Sequence, residues 1–238
     1  YYSFGDIMEL TRKNWSKNDI NTFNLYLESL KNENKIEWTK RIVNTNMKVL
    51  AIKTPILKKI ANEIYKGNYI EFLSFMPLDY YENTIIIANI INKIKNNKKY
   101  YLDIYSRKID NWASCDVLNF NNVNKEEYYN ISLEYIKSKE TFVRRIGIKI
   151  LFSFVKDCNY TDKIFAILDK LYNENEYYVN MIMAWLLCEL FIYQREKTLN
   201  YLKDSKLNSF VINKAISKCR DSYRINNEDK KLLLNYKR

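Results

Sequence analysis

Three short stretches hold residue types able to support chemistry. The first is Asn111-Trp112-Ala113-Ser114-Cys115-Asp116. On a helix, the four-residue spacing puts the indole of Trp112 and the carboxylate of Asp116 on one face. The plain alternative is a buried tryptophan and an aspartate that caps a helix or pairs with a lysine. The second is Phe142-Val143-Arg144-Arg145-Ile146-Gly147-Ile148. A guanidinium grips a phosphate through two parallel hydrogen bonds, and two of them open a segment that turns strongly apolar. Positive charge at a helix start opposes the helix dipole, a small penalty that suggests a use. A solvated pair is the alternative. The third is Met181 to Glu189, where Trp185 sits in a long apolar run that also fits plain core. Farther on, Lys214, Lys218, Arg220 and Arg224 gather near Tyr223. Cations interleaved with an aromatic ring suit phosphate contacts, and a solvated face fits as well.

What the chain lacks narrows the chemistry. It has no histidine, so a Ser-His-Asp triad, a Cys-His pair and histidine-ligated zinc are excluded. Cys115, Cys158, Cys188 and Cys219 lie far apart with no CxxC pair, the pattern of reduced, mostly buried thiols rather than of a metal site. No glycine-rich phosphate loop is present. Catalysis must therefore run on carboxylates, Tyr, Lys, Arg or Trp, and neither a metal nor a cofactor is expected. A formal net charge of +11 draws polyanions. An AT-rich genome also enriches lysine, but it explains the arginines less well. The longest apolar stretch, Met181 to Ile192, contains Glu189 and is too short to span a bilayer, so no membrane partner and a cytoplasmic location are expected, nucleoid-associated in a bacterium.

The elements that must position these residues are helices. Only 3 Gly and 2 Pro occur in 238 residues, too few for the turns of sandwiches or barrels. Helical periodicity appears in Asp19–Leu30, in Thr54–Ile64 with Pro55 in the first turn and Gly67 as the cap, and in the very apolar Asn83–Ile94. It continues through Lys125–Ile136, Thr141–Val155 with Thr141 as N-cap, Tyr160–Tyr172, Glu176–Tyr193, Glu196–Leu202, Ser209–Cys219 and Asn227–Tyr236. About 35 to 45 residues per helix pair is the rhythm of HEAT-like arrays. The expected fold is all-α, a single HEAT-like helical-repeat solenoid over residues 1–238 with a concave basic face that would match a duplex. A globular helical bundle fits the periodicity almost as well.

Together these stretches resemble the AlkD-like DNA alkylation repair glycosylases, which are HEAT-like repeat proteins. The likeness begins at Val49-Leu50-Ala51-Ile52-Lys53-Thr54-Pro55-Ile56-Leu57-Lys58-Lys59-Ile60-Ala61, which looks like that family's loop leading into a basic helix. It runs through Asn111-Trp112 with Asp116, Arg144-Arg145 and Ala184-Trp185, and the ending from Lys214 to Arg224 looks like one branch of the family. The resemblance implies roles. Trp112 and Trp185 match two aromatic walls of the family's cleft, Asp116 its catalytic carboxylate, and Arg145 or Arg144 the arginine that holds the DNA backbone. Lys214, Lys218 and Arg224 would add backbone contacts. The chain departs from the pattern at Cys188, where relatives often carry arginine.

The implied chemistry needs no histidine. A purine alkylated at N3 or N7 is cationic and already a good leaving group. Breaking its glycosidic bond builds positive charge on the sugar. A carboxylate about 4 Å away at an effective dielectric near ~20 attracts that charge by about 4 kcal/mol, roughly a thousandfold in rate before desolvation is subtracted. Tryptophan faces add about 0.5 to 2 kcal/mol each. The resemblance also implies action without rotating the base out of the duplex. The expected partner is double-stranded DNA with alkylated bases, bound by a monomer. Two rival readings are a non-catalytic paralogue that binds damaged or branched DNA, suggested by Cys188, and a helical scaffold for another protein.

Overall fold

The computed structural model describes residues 8–238, which are helical throughout with short connectors. The chain divides into two compact units, Tyr1–Leu118 and Asn119–Arg238. The first contains α1 (Lys17–Ser29), α2 (Glu33–Val43), α3 (Thr54–Lys66), α4 (Tyr69–Phe75), α5 (Tyr81–Lys93), α6 (Lys98–Ser106) and α7 (Trp112–Asp116). The second contains α8 (Lys125–Tyr135), α9 (Thr141–Leu151), α10 (Thr161–Asp169), α11 (Tyr177–Tyr193), α12 (Arg195–Asp204), α13 (Ser209–Asp221) and α14 (Asn227–Leu233). Both units are built of helices packed on helices, as a helical repeat requires. No helix among the described residues is long and apolar enough to cross a membrane.

In the first unit α3 packs on α5. Leu57, Ile60, Ala61 and Ile64 form one buried stripe along α3, while α5 is buried nearly all round through Ile85, Ile86, Ile87, Ala88, Ile90 and Ile91. A helix apolar on every side belongs at the centre, and α6 and α7 also pack on α5. Trp15, Phe23 and Phe72 close the other side, with edge-on ring centroids 4.9 to 6.0 Å apart. Gly67 ends α3 as expected, and its reason is space. A Cβ there would lie 2.6 Å from the Thr11 carbonyl carbon, so only glycine lets the preceding segment pass. Glu82, 1% exposed at the start of α5, accepts hydrogen bonds from the Leu50 and Ala51 amides, each at 2.9 Å. It thereby holds Ala51 at φ 61°, a left-handed conformation that alanine rarely adopts unaided.

In the second unit α9, α11 and α13 lie side by side, with α8 on α9, α12 on α11 and α14 on α13. Helix α11, flanked by α9 and α13, is buried on nearly every side, and this explains its unbroken apolar sequence. The α8–α9 pair is close. A Cβ on Gly147 would meet Tyr135 Cβ at 3.0 Å, and Ser132 Oγ donates to the Gly147 carbonyl at 2.6 Å.

Several expected boundaries shift. Thr141 is the first residue of α9 rather than its N-cap, which is Glu140 with no capping side-chain bond. That helix stops at Leu151 and tightens into a 3-10 turn, Phe152–Phe154, short of Val155. The segment expected to continue to Tyr236 is helical to Leu233 and then a 3-10 turn. Helices α2, α4 and α6 have no counterpart in the expected segments; α2 buries only Val43, and α4 and α6 are 7 and 9 residues long.

Candidate functional site

The first unit presents Trp112 and Asp116 at the two ends of α7, a helix of 5 residues. So short a helix has little cooperativity of its own and must be fixed by its surroundings. Asn111 caps it, its Oδ1 accepting from the Ser114 amide at 2.8 Å. Beneath, Ser114 Oγ and Thr84 Oγ1 share a hydrogen bond of 2.6 Å, and the fully buried Tyr105 hydroxyl donates to the Ser114 and Thr84 carbonyls at 2.7 and 3.1 Å. Burial pushes the Tyr105 phenol well above its ordinary pKa, so it stays protonated and remains a donor. On the entry side, Asp110 accepts from Thr45 Oγ1 at 2.5 Å, from the Asn46 amide at 2.8 Å and from Asn111 Nδ2 at 3.1 Å. The Trp112 indole N–H donates to the Ile42 carbonyl at 3.3 Å, which sets the ring plane. Trp112 and Asp116 are both half-buried, so each reaches the surface from a rigid base.

The second unit holds the other candidates. Trp185, half-buried on α11, packs against Phe152 with centroids 4.7 Å apart, and Lys149 Nζ sits 5.2 Å from its ring centroid. The sequence motifs give no hint of Lys149 and Phe152 as its neighbours. The one local signal is spacing: Lys149 stands four residues after Arg145 and Phe152 three after Lys149, which keeps them near one side of the α9 region.

The two arginines turn inward. Arg145 is 5% exposed, and its Nη1 donates to the Tyr178 carbonyl at 2.6 Å. Arg144 grips Glu174 with Nε and Nη2 at 2.6 and 3.3 Å and donates from Nη1 to the Ser138 carbonyl at 3.0 Å. Side-chain exposures of 12% and 9% make Arg144–Glu174 a largely buried, fork-to-fork pair. Arg224 likewise forms a two-pronged pair with Glu189, one bond at 3.2 Å from Nη1 to Oε2 and the other from Nη2 to Oε1. In contrast, Lys214 and Lys218 lie half-exposed on α13 and form no ion pair with a described residue.

A family model described as DNA alkylation repair enzyme matches residues 24–219. The chain belongs to this family. No curated protein matches it. The span covered runs from within α1 to within α13 and includes Trp112, Asp116, Arg144, Arg145, Trp185, Lys214 and Lys218, whereas Arg224 falls outside it. Membership in the DNA alkylation repair family places the protein in the repair of alkylated DNA, with DNA as substrate.

Proposed function

We propose that this member of the family is a DNA glycosylase that releases N3- and N7-alkylated purines. The carrying observation is the Trp112–Asp116 helix, which sets a half-buried carboxylate and an indole on a base immobilised by Asn111, Ser114 and Tyr105. Preorganised charge of this kind stabilises an oxocarbenium-like sugar without reorganisation at the moment of reaction. Asp116 supplies the negative charge and orients a water, and Trp112 supplies an aromatic face to the cationic base and sugar; Trp185 is the aromatic candidate of the second unit. Lys214 and Lys218 are the backbone contacts in this reading, because Arg145 lies inward on the Tyr178 carbonyl. The chemistry needs no general acid, in keeping with a chain that has no histidine.

The test is release of free 7-methylguanine and 3-methyladenine from methylated duplex DNA, with the parent beside Asp116→Asn. The amide keeps the shape and removes the charge, so excision is expected to fall by up to roughly a thousandfold, the upper bound set by about 4 kcal/mol of charge attraction. Equal excision by both proteins removes Asp116 from the mechanism.

A second reading, a non-catalytic binder of damaged or branched DNA, is favoured by one observation. Cys188 is buried where relatives often carry arginine. It predicts DNA binding that weakens steeply with salt, and no base release from either protein.

A further inference from the structure

Helix α2 has 11 residues and buries one of them, Val43. Its large apolar side chains face out instead: Trp38 is 54% and Ile42 50% exposed. Lys35, Trp38, Arg41 and Ile42 recur at steps of three and four, so they share one side of the helix, and all four are exposed. Ile36 and Val43 fall on the other side, half-buried and buried. The Lys35 ammonium lies 5.7 Å from the Trp38 ring centroid. Glu33 pairs with Lys31 at 3.1 Å, and along the rest of the helix Lys35, Lys40 and Arg41 outnumber Glu37. A contiguous apolar pair flanked by cations, on a helix that gives the core almost nothing, has the make-up of a contact surface for an anionic partner.

The place of the helix identifies that partner. The Ile42 carbonyl accepts the Trp112 indole N–H at 3.3 Å, and the residues just after α2 are tied to Asp110 through Thr45 Oγ1 and the Asn46 amide. The C-terminal end of α2 therefore abuts the Trp112–Asp116 helix. Trp38 stands one turn back from Ile42, about 6 Å along the axis. The major groove of a duplex alone is about 12 Å wide, more than this offset, so DNA seated at Trp112 and Asp116 runs over the exposed side of α2. We propose that α2 is a DNA-contacting element, with Trp38 and Ile42 forming an apolar wedge against the bases and sugars that flank the nucleotide held at Trp112. Lys35 and Arg41 take the phosphates beside the wedge. An apolar side chain pressed against a base step loosens its stacking, and the area buried offsets that cost. The indole has a flat face for a loosened base, and the Lys35 ammonium over the ring biases its orientation. The inference rests on reading the Trp112–Asp116 helix as the place where DNA is acted on, and it is independent of whether a base is released.

The experiment measures binding of the full chain to a fluorescein-labelled undamaged duplex by anisotropy, over a range of salt. Trp38→Ala should bind about tenfold more weakly or worse, and Trp38→Phe should recover most of the loss because it restores a flat ring. Lys35→Ala with Arg41→Ala should lower the slope of log affinity against log salt by about 2. A saturating duplex should quench the tryptophan emission of the parent more than that of Trp38→Phe. The Trp38 ring is mostly outside the core, so the melting temperature of each variant should stay within about 2 °C of the parent, which separates lost contact from lost fold. Parent-like affinity in Trp38→Ala together with a parent-like salt slope in the double variant would overturn the proposal. So would a parent dimer in sedimentation that Trp38→Ala abolishes without changing DNA binding, because the face would then belong to a second copy of the chain. Failure of the glycosylase reading looks different: the parent releases no base, while the effect of Trp38 on duplex binding remains.

Discussion

Asn111→Ala is the sharpest test of how α7 is held, because the residue touches neither Trp112 nor Asp116 through its own functional group. Its Oδ1 caps the Ser114 amide at 2.8 Å, and its Nδ2 donates to Asp110 at 3.1 Å. Asn111 is 1% exposed and Ser114 fully buried, so water cannot replace the lost acceptor. Losing a cap costs about 0.5 to 2 kcal/mol, with the upper end applying when the orphaned N–H is buried. Losing the bond to Asp110 costs about 1 kcal/mol more. Together these give about 2 to 3 kcal/mol, which for a chain of 238 residues lowers the melting temperature by about 4 to 12 °C. Thermal and urea unfolding measure it.

The same substitution has a second consequence. Below the transition nearly all molecules remain folded, yet α7 has lost the bond that starts its single turn. Excision should then fall further than the folded fraction accounts for. Asn111→Asp separates the effects. It keeps the acceptor for Ser114 but sets a second carboxylate against Asp110, so stability recovers only in part. An alanine variant melting within about 1 °C of the parent, with the aspartate variant no more stable than alanine, would refute the claim that the cap fixes this helix.

Other perturbations follow from the same geometry. Glu174→Gln leaves the largely buried Arg144 guanidinium without its counter-charge and should cost about 3 kcal/mol in urea unfolding. Gly147→Ala gains up to about 1 kcal/mol of helix propensity but forces a Cβ to 3.0 Å from Tyr135, and overpacking at about 1 to 3 kcal/mol should leave it net destabilised by the same assay. Lys214→Ala with Lys218→Ala should weaken duplex binding uniformly across sequences and lower the slope of log affinity against log salt by about 2. In acid, hydrogen bonds from Lys125 and from the Asn159 amide lower the Asp157 pKa, so its contribution is complete above the unfolded value of 3.8 and is lost as pH falls through the lower folded one. Asp157→Asn should accordingly flatten the acid limb of a stability–pH curve and lower stability at neutral pH.

How much of this the sequence discloses depends on whether a feature leaves a periodic trace. Helices α3, α9 and α11 bury a stripe or more, and their apolar spacing announces them. Helix α2 buries only Val43 and leaves Trp38 and Ile42 exposed, so its apolar residues mark no core face. Helices α4 and α6, of 7 and 9 residues, are too short for the period to stand out. The Trp112–Asp116 pair was legible as a spacing, but what holds it was not: Ile42, Thr45 and Thr84 come from distant parts of the chain. Charge is the harder case. A surplus of +11 counts every arginine alike, whereas the fold gives Arg144 to Glu174, Arg224 to Glu189 and Arg145 to a backbone carbonyl. Those partners stand some thirty or more positions away, beyond any local pattern. Lys214 and Lys218 form no such pair with a described residue, so their charges meet solvent with no internal offset. The electrostatic case for DNA in the second unit therefore leans on these lysines more than on the arginine motif that first drew attention.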